Sequence, residues 1–218
     1  NCQNLSISRR QHAQQLLVND YRVSSFMGDP AQSHYLGNQF LIAMPQLAGS
    51  YFADTVTYLC KHDEQGALGI VINKPLGARV IDIFNELDIS CNLRDSRFTT
   101  QRILSGGPVE RDKGFIVHDA TAHWDSSISV TPEISVCTSR KILKDIAGGR
   151  GPENYLIALG CAGWEPGQLE REISENAWLT APAQHDLIFS DNYGSKSKEA
   201  AALLGVDLQC LSPAAGHS

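Results

Sequence analysis

The chain has 218 residues, 42% of them hydrophobic and 19% charged, an ordinary balance for one globular domain with a sizeable core. A net charge of −6 argues against broad binding along a phosphate backbone, which needs clustered Lys and Arg, so direct DNA binding is not expected. No apolar run approaches the roughly 18–20 residues of a membrane-spanning helix, so no membrane role is expected either.

The six cysteines, Cys2, Cys60, Cys91, Cys137, Cys161 and Cys210, form no Cys-x-x-Cys pair and no zinc-like Cys/His spacing. Neither a metal site nor a cofactor is called for. With no signal-peptide pattern, the scattered thiols point to free cysteines in a reducing cytoplasm.

Residues 1–33 read as an N-terminal extension. They are rich in Gln, Ser and Asn, carry Arg9, Arg10 and Arg22, and hold only Asp20 and Asp29 as acids. Met27-Gly28-Asp29-Pro30 looks like a natural start, and residues 12–18 suit a short helix. An organelle-targeting segment is the rival reading, since such segments are Arg-rich and acid-poor. The domain proper is expected over 34–218. Residues 39–44 read as a strand stopped by Pro45. Residues 55–60 and 67–72 read as two strands joined by the turn Asp63-Glu64-Gln65-Gly66. Val80, Ile81, Phe84 and Leu87 recur at helical spacing.

Residues 102–104, 114–117 and 128–136 look like strands, and Ser139 caps a helix that runs to Ala147 and ends at Gly148-Gly149. An apolar run, Tyr155 to Leu159, is then expected to end in a glycine turn at Gly160 and feed a helix opened by Pro166. That helix sits between Trp164 and Trp178, with Leu169 and Ile173 on one face and Gln168, Glu172 and Asn176 on a neighbouring polar face. A strand at 187–189, a helix at 196–204 and a strand at 206–211 complete the reading. Consecutive strands without helices between them, with helices elsewhere, indicate an α+β fold in a single compact domain.

At several of these blocks the chain resembles the YqgE/AlgH family of small bacterial proteins. The matching pieces are residues 40–45 (FLIAMP), 66–75 (GALGIVINKP), 106–109 (GGPV), 114–118 (GFIVH), the block from Gly163-Trp164 to Trp178, and the closing Ala215-Gly216-His217. Their order and spacing hold from about residue 38 onward. The resemblance implies an α+β domain with a mixed, largely antiparallel sheet and flanking helices, in a family without an established reaction. Many members carry the label of transcriptional regulator. Two positions depart from the family: Lys61 stands where an acid usually precedes His62, and Cys161 where a tyrosine is usual.

The candidate site residues lie at turns and strand ends, where loops carry function. Asn73 and Lys74 either point into a groove as anion or amide ligands, or form a turn in which Asn73 bonds its own backbone. Gly106 and Gly107 either expose backbone N–H groups to an anion or make a tight turn. His118 closes a strand beside Asp119, which could orient an imidazole for general-base work. Ser105 and Cys161 stand at strand ends next to glycines, yet neither lies in Gly-x-Ser-x-Gly. Glu170 and Glu172 are two apart on a helix and so cannot form a close carboxylate pair. Trp164 and Trp178 either frame a binding face or pin the helix to the sheet.

These residues support a cytoplasmic regulatory or interaction protein acting through an unknown protein partner or small ligand. Its working surface would comprise Asn73, Lys74, Gly106, Gly107, His118, Trp164, Gln168, Glu172 and Asn176. The alternative is a small-molecule-binding protein or enzyme with a pocket near His118, Lys74 and Glu172. Thiol redox sensing through Cys161 or Cys60 is a third option.

Overall fold

The computed structural model describes residues 35–91 and 95–208 of the chain. The N-terminal extension, including Met27 and the stretch expected to form a short helix, the block at 215–217, and residues 209–211 lie outside the described residues. Ten strands appear in chain order: β1 (Gln39–Ala43), β2 (Val56–Asp63), β3 (Gly66–Val71), β4 (Pro75–Arg79), β5 (Arg102–Ser105), β6 (Val109–Asp119), β7 (Ser127–Ser129), β8 (Ile134–Cys137), β9 (Tyr155–Trp164) and β10 (Trp178–Pro182). Six α-helices accompany them: α1 (Val80–Glu86), α2 (Arg97–Thr100), α3 (Arg140–Ala147), α4 (Gln168–Ser174), α5 (His185–Phe189) and α6 (Lys196–Ala202). The class is α+β.

The strands form one curled sheet in the order β10-β1-β2-β3-β9-β6-β8-β7, with β5 pairing β9 and β4 pairing β5 off that path. The pairs are antiparallel except β5 with β9, which is parallel. The centre is β9. Its first half borders β5 and its last three residues border β3, while β6 follows its other edge. Between those halves Gly160 adopts φ +76°, and a Cβ there would lie 2.6 Å from the Gly107 carbonyl oxygen and 2.9 Å from that of Val109. Opposite it, a Cβ on Gly106 would come 2.3 Å from the Gly160 oxygen and one on Gly107 1.9 Å from the Cys161 carbonyl carbon. Only glycine permits backbones to cross this closely. The crossing is bonded as well: Gly106 N donates to Leu159 O at 2.8 Å, and Val71 N donates to Gly106 O at 2.8 Å.

Local chemistry accounts for the helices. Ser139 Oγ accepts from Lys141 N, and α3 buries Ile142, Leu143, Ile146 and Ala147 on one stripe. Asp82 accepts from Arg79 N to close the start of α1, which buries Val80, Ile83 and Phe84. The helices cover a core in three clusters. The largest packs Leu187, Ile188, Ala200 and Ala201 against Phe40, Tyr58, Val117 and Leu156. A second lies under α1–α3, and a third gathers Trp164, Trp178 and Leu169.

Five sequence expectations are corrected. Gly160 does not end a strand but bends one, and the following helix opens at Gln168 after Gly167 at φ +73°, not at Pro166. Residues 128–136 are two strands, parted by a turn in which Thr131 Oγ1 accepts from Glu133 N and Ile134 N. Leu187–Phe189 belongs to α5, because three apolar residues in a row carry no period to tell helix from strand. Residues 206–208 form no strand. Pro75 opens the edge strand β4, where a missing N–H costs no central ladder bond.

Replacing Gly160 with alanine should cost about 3–5 kcal/mol, from overpacking against two carbonyls and a strained φ. The expected reading is a thermal midpoint lower by on the order of 10 °C. An unchanged midpoint would mean that the crossing is not tight.

Candidate functional site

The loop between β1 and β2 carries Tyr51 and Phe52, and these two rings join most of the sequence-predicted residues into one group. Lys74 Nζ donates to Tyr51 O at 2.8 Å and stands 4.0 Å from the Tyr51 ring centre. The Tyr51 hydroxyl donates to Ser105 O at 2.9 Å and meets Ser105 Oγ at 2.7 Å. A phenol has one proton, so the serine hydroxyl donates back to it. Asn73 Oδ1 accepts from Val56 N at 2.8 Å and its Nδ2 donates to Asp54 O at 2.9 Å. Asn73 and Lys74 thus hold the 51–56 segment in place, and Gly106 and Gly107 face β9 beside them.

Phe52 carries the contact onward. Its ring lies 5.2 Å from that of Trp178 and 6.4 Å from that of Trp164, and the two indoles meet at 5.9 Å. Both indole N–H groups donate to Glu172 Oε2 at 2.8 Å. Gln168 Nε2 donates to Glu172 Oε1 at 2.8 Å, while Gln168 Oε1 accepts from Glu165 N. One carboxylate therefore fastens α4 to the ends of β9 and β10. Asn176, exposed at φ +58°, sits on the turn after α4.

His118 stands apart. It pairs with Tyr155 at the start of β9, whereas Ser105 pairs with Leu159, so about 13 Å of strand separates it from the Lys74 group. Its side chain is fully buried, edge-on to Trp124 at 5.0 Å. Nδ1–H donates to Asp119 O at 2.8 Å, Nε2 finds no partner among the described residues, and burial holds the imidazole below its ordinary pKa. Neither of the two grooves described below is lined by His118, Lys74 or Glu172.

The carboxylate expected to orient His118 orients a different imidazole, because successive strand residues point to opposite faces. Asp119 Oδ1 accepts from His185 Nε2 at 2.7 Å, and its Oδ2 accepts from Asn154 N at 3.0 Å and Asn154 Nδ2 at 2.9 Å. Burial alone would raise the Asp119 carboxyl, but these hydrogen bonds hold it below the usual carboxylate range. The bond from Asp119, against some desolvation, raises His185 above its ordinary value. This pair opens on a groove of about 380 Å³ lined by Asp119, Ala120, Thr121, Pro132, Glu133 and His185.

A larger groove of about 670 Å³ runs beside β4, lined by Pro75, Leu76, Gly77, Thr100, Arg102, Asp191 and Tyr193. Arg102 Nη1 donates to Gly77 O at 3.2 Å, and the Tyr193 hydroxyl donates to Asp191 Oδ1 at 2.9 Å. Behind Tyr193, fully buried Lys196 donates to Ile188 O at 2.7 Å, and desolvation pushes its amine down to about 8. Arg102, Asp191, Tyr193 and His185 were not singled out from the sequence. The thiols of Cys60 and Cys161 are buried; burial raises both, Cys161 to about 12, far from the range of a reactive thiolate. No group of three His, Cys, Asp or Glu side chains is placed to hold a metal ion among the described residues.

Glu172→Ala should strand two indole N–H groups, at about 1–3 kcal/mol each, whereas Glu172→Gln keeps an acceptor and should cost less. Denaturant unfolding followed by tryptophan fluorescence reads this directly. Equal stability of all three proteins would show that the carboxylate fastens nothing.

Comparison with known proteins bears on the whole arrangement. A family model described as AlgH-like matches residues 40–209. A UPF0301 protein of Chromobacterium violaceum is 42% identical over 187 residues, covering 86% of this chain and all of the relative. A UPF0301 protein of Thioalkalivibrio sulfidiphilus is 46% identical over 181 residues, covering 83% of this chain and 96% of the relative. The solution structure of the AlgH protein from Pseudomonas aeruginosa superposes with a TM-score of 0.69 at 42% identity, over 88% of this chain and all of that one. A crystal structure from Corynebacterium diphtheriae, 18% identical, shares the fold with a TM-score of 0.64 over 86% of this chain and 94% of that one. The chain belongs to the AlgH-like family.

Proposed function

We propose that the chain is an interaction protein that holds an extended segment of a cytoplasmic protein partner along β4. Any effect on transcription then passes indirectly through that partner. One observation carries the reading: β4 pairs only with β5 among the described residues, and the 670 Å³ groove lies against it. Five residues of β4, Pro75 to Arg79, span only Leu104 to Arg102 on β5, so its middle bulges away from its partner strand. An edge strand beside a groove is the setting in which a peptide adds a strand, its main chain supplying affinity and its side chains specificity. Arg102 and Asp191 offer one charge of each sign, which suits a peptide carrying both. A Cβ on Gly77 would meet nothing within 4 Å, so the groove is open at that point.

In this reading Asn73, Lys74, Gly106 and Gly107 set the position of β4, while Trp164, Gln168, Glu172 and Asn176 form a neighbouring face. The net charge of −6 supports an indirect route over direct DNA contact. No helix among the described residues is long and apolar enough to cross a membrane. A second reading, a small-molecule-binding protein or enzyme, is favoured by the His185–Asp119 pair on the smaller groove, where an oriented imidazole could take a proton from a hydroxyl or water.

Selection of peptides from a displayed random library against the 218-residue chain tests the first reading. Selected peptides should bind the wild type and lose about tenfold or more in affinity to Gly77→Leu, roughly 1.4 kcal/mol. Failure to enrich any peptide, or equal binding to Gly77→Leu, would contradict it.

A further inference from the structure

One short helix lies between the two grooves: its first residue, His185, lines the smaller, and Asp191 and Tyr193, just past its end, line the larger. The chain leaves β10 at Pro182, is pinned by Ala183 N donating to Asn38 O at 3.2 Å, and enters α5 at His185. At that end a single imidazole ties α5 to Asp119 at the end of β6, whose other oxygen is occupied by Asn154. The bonds Ile188 N to Gln184 O and Ser190 N to Asp186 O, each 3.0 Å, carry the helical path to Ser190. Leu187 and Ile188, 7% and 0% exposed, anchor its middle in the core. One residue beyond Ser190 comes Asp191, then Tyr193, which together form a wall of the larger groove. A five-residue helix is only about 7.5 Å long, so a roll about its anchored middle reaches both ends.

We propose that the His185–Asp119 hydrogen bond is a proton-operated latch on the larger groove. The charged imidazole holds α5 and the Asp191–Tyr193 wall as seen here. The neutral ring keeps one N–H for Asp119 but loses the charge that strengthens the bond, and the wall is then freer to move. The meaning for partner binding rests on the reading of the β4 groove given above. The latch itself does not.

The charges around His185 favour this. Asp119 faces it from β6, Asp186 from α5 itself with Oδ1 3.5 Å from Nδ1, and Glu133 from the β7–β8 turn across the smaller groove. The Phe189 ring, 4.8 Å away, is uncharged. No lysine or arginine lines the smaller groove. Asp119 and Asp186 favour the imidazolium and raise His185, the Asp119 bond being the largest cause, against some desolvation. A base raised in the folded state contributes stability that is whole below its unfolded value of 6.5 and is lost as pH climbs through its folded value. Lys196 works in the opposite sense. Its lowered amine, near 8, means that stability falls as pH drops from 10.5 towards 8 and is flat below that. Near neutrality the latch therefore weakens with rising pH through His185.

The experiment is an NMR pH titration of the 218-residue chain, following the His185 ring and the backbone amides of Asp191 and Tyr193. Both amides should move with the midpoint of the ring, above 6.5. In Asp119→Asn the ring midpoint should fall, and in His185→Gln the shared amide transition should vanish. Any remaining amide transition near 8 should disappear in Lys196→Met. Amides that ignore the ring, or that titrate unchanged in His185→Gln, would overturn the latch. Because no peptide is present, the titration is independent of the groove reading. A shared transition in a chain that selects no peptide would support the latch and count against that reading alone.

Discussion

The close crossing of Gly106–Gly107 over Gly160–Cys161 is the constraint on which the rest of the structure depends. Side chains at these glycines would collide with backbone atoms 1.9–2.6 Å away, so the two segments share a volume that only glycine leaves empty. That approach lets Gly106 bond Leu159 on β9 and Val71 on β3 at once. It also lets β9 pass from β5 to β3 without leaving the sheet. The core follows from this, because cluster residues such as Phe115, Ala158 and Cys161 lie beside the crossing.

Two surfaces are placed by the same crossing. Ser105, one residue before Gly106, bonds through its backbone to Lys74 O and through its hydroxyl to Tyr51, and so sets where β4 begins. On the other side β9 runs on to Trp164, where Glu172 gathers two indoles and Gln168. The polar groups of this second surface largely satisfy one another, which suits a rigid support. Among the described residues the β4 edge has one strand partner, and beside it lies a groove with charges of both signs. The contrast between a satisfied face and an open edge is what favours the edge as the working surface.

Much of this was legible in the residues, and the failures have physical reasons. The β2–β3 hairpin and helix α3 were readable because Asp63-Glu64-Gln65-Gly66 and the Ser139 and Gly148 caps act locally. Gly160 was misread because a glycine at positive φ inside a strand looks, in sequence, like one that ends it. Gly167 likewise took the helix start that Pro166 advertised. Helix α5 was missed because Leu187, Ile188 and Phe189 show no period, and with it went His185. Its partner Asp119 is 66 residues away, and the adjacent His118 offered a false pairing that strand alternation forbids. The β4 groove depends on Pro75, Arg102 and Tyr193, which come together only through pairing and loop closure.

Native-state hydrogen exchange of the free chain tests the central claim most directly, that a rigid glycine crossing presents an open strand edge. Amides flanking Gly160, from Ala158 to Ala162, should exchange only with global unfolding. Amides of Leu76 and Gly77, and those of Asp191 and Tyr193, should exchange through local openings at clearly lower free energy. Protection of the β4 amides equal to that of β9 would mean that the edge is covered, and would contradict the account.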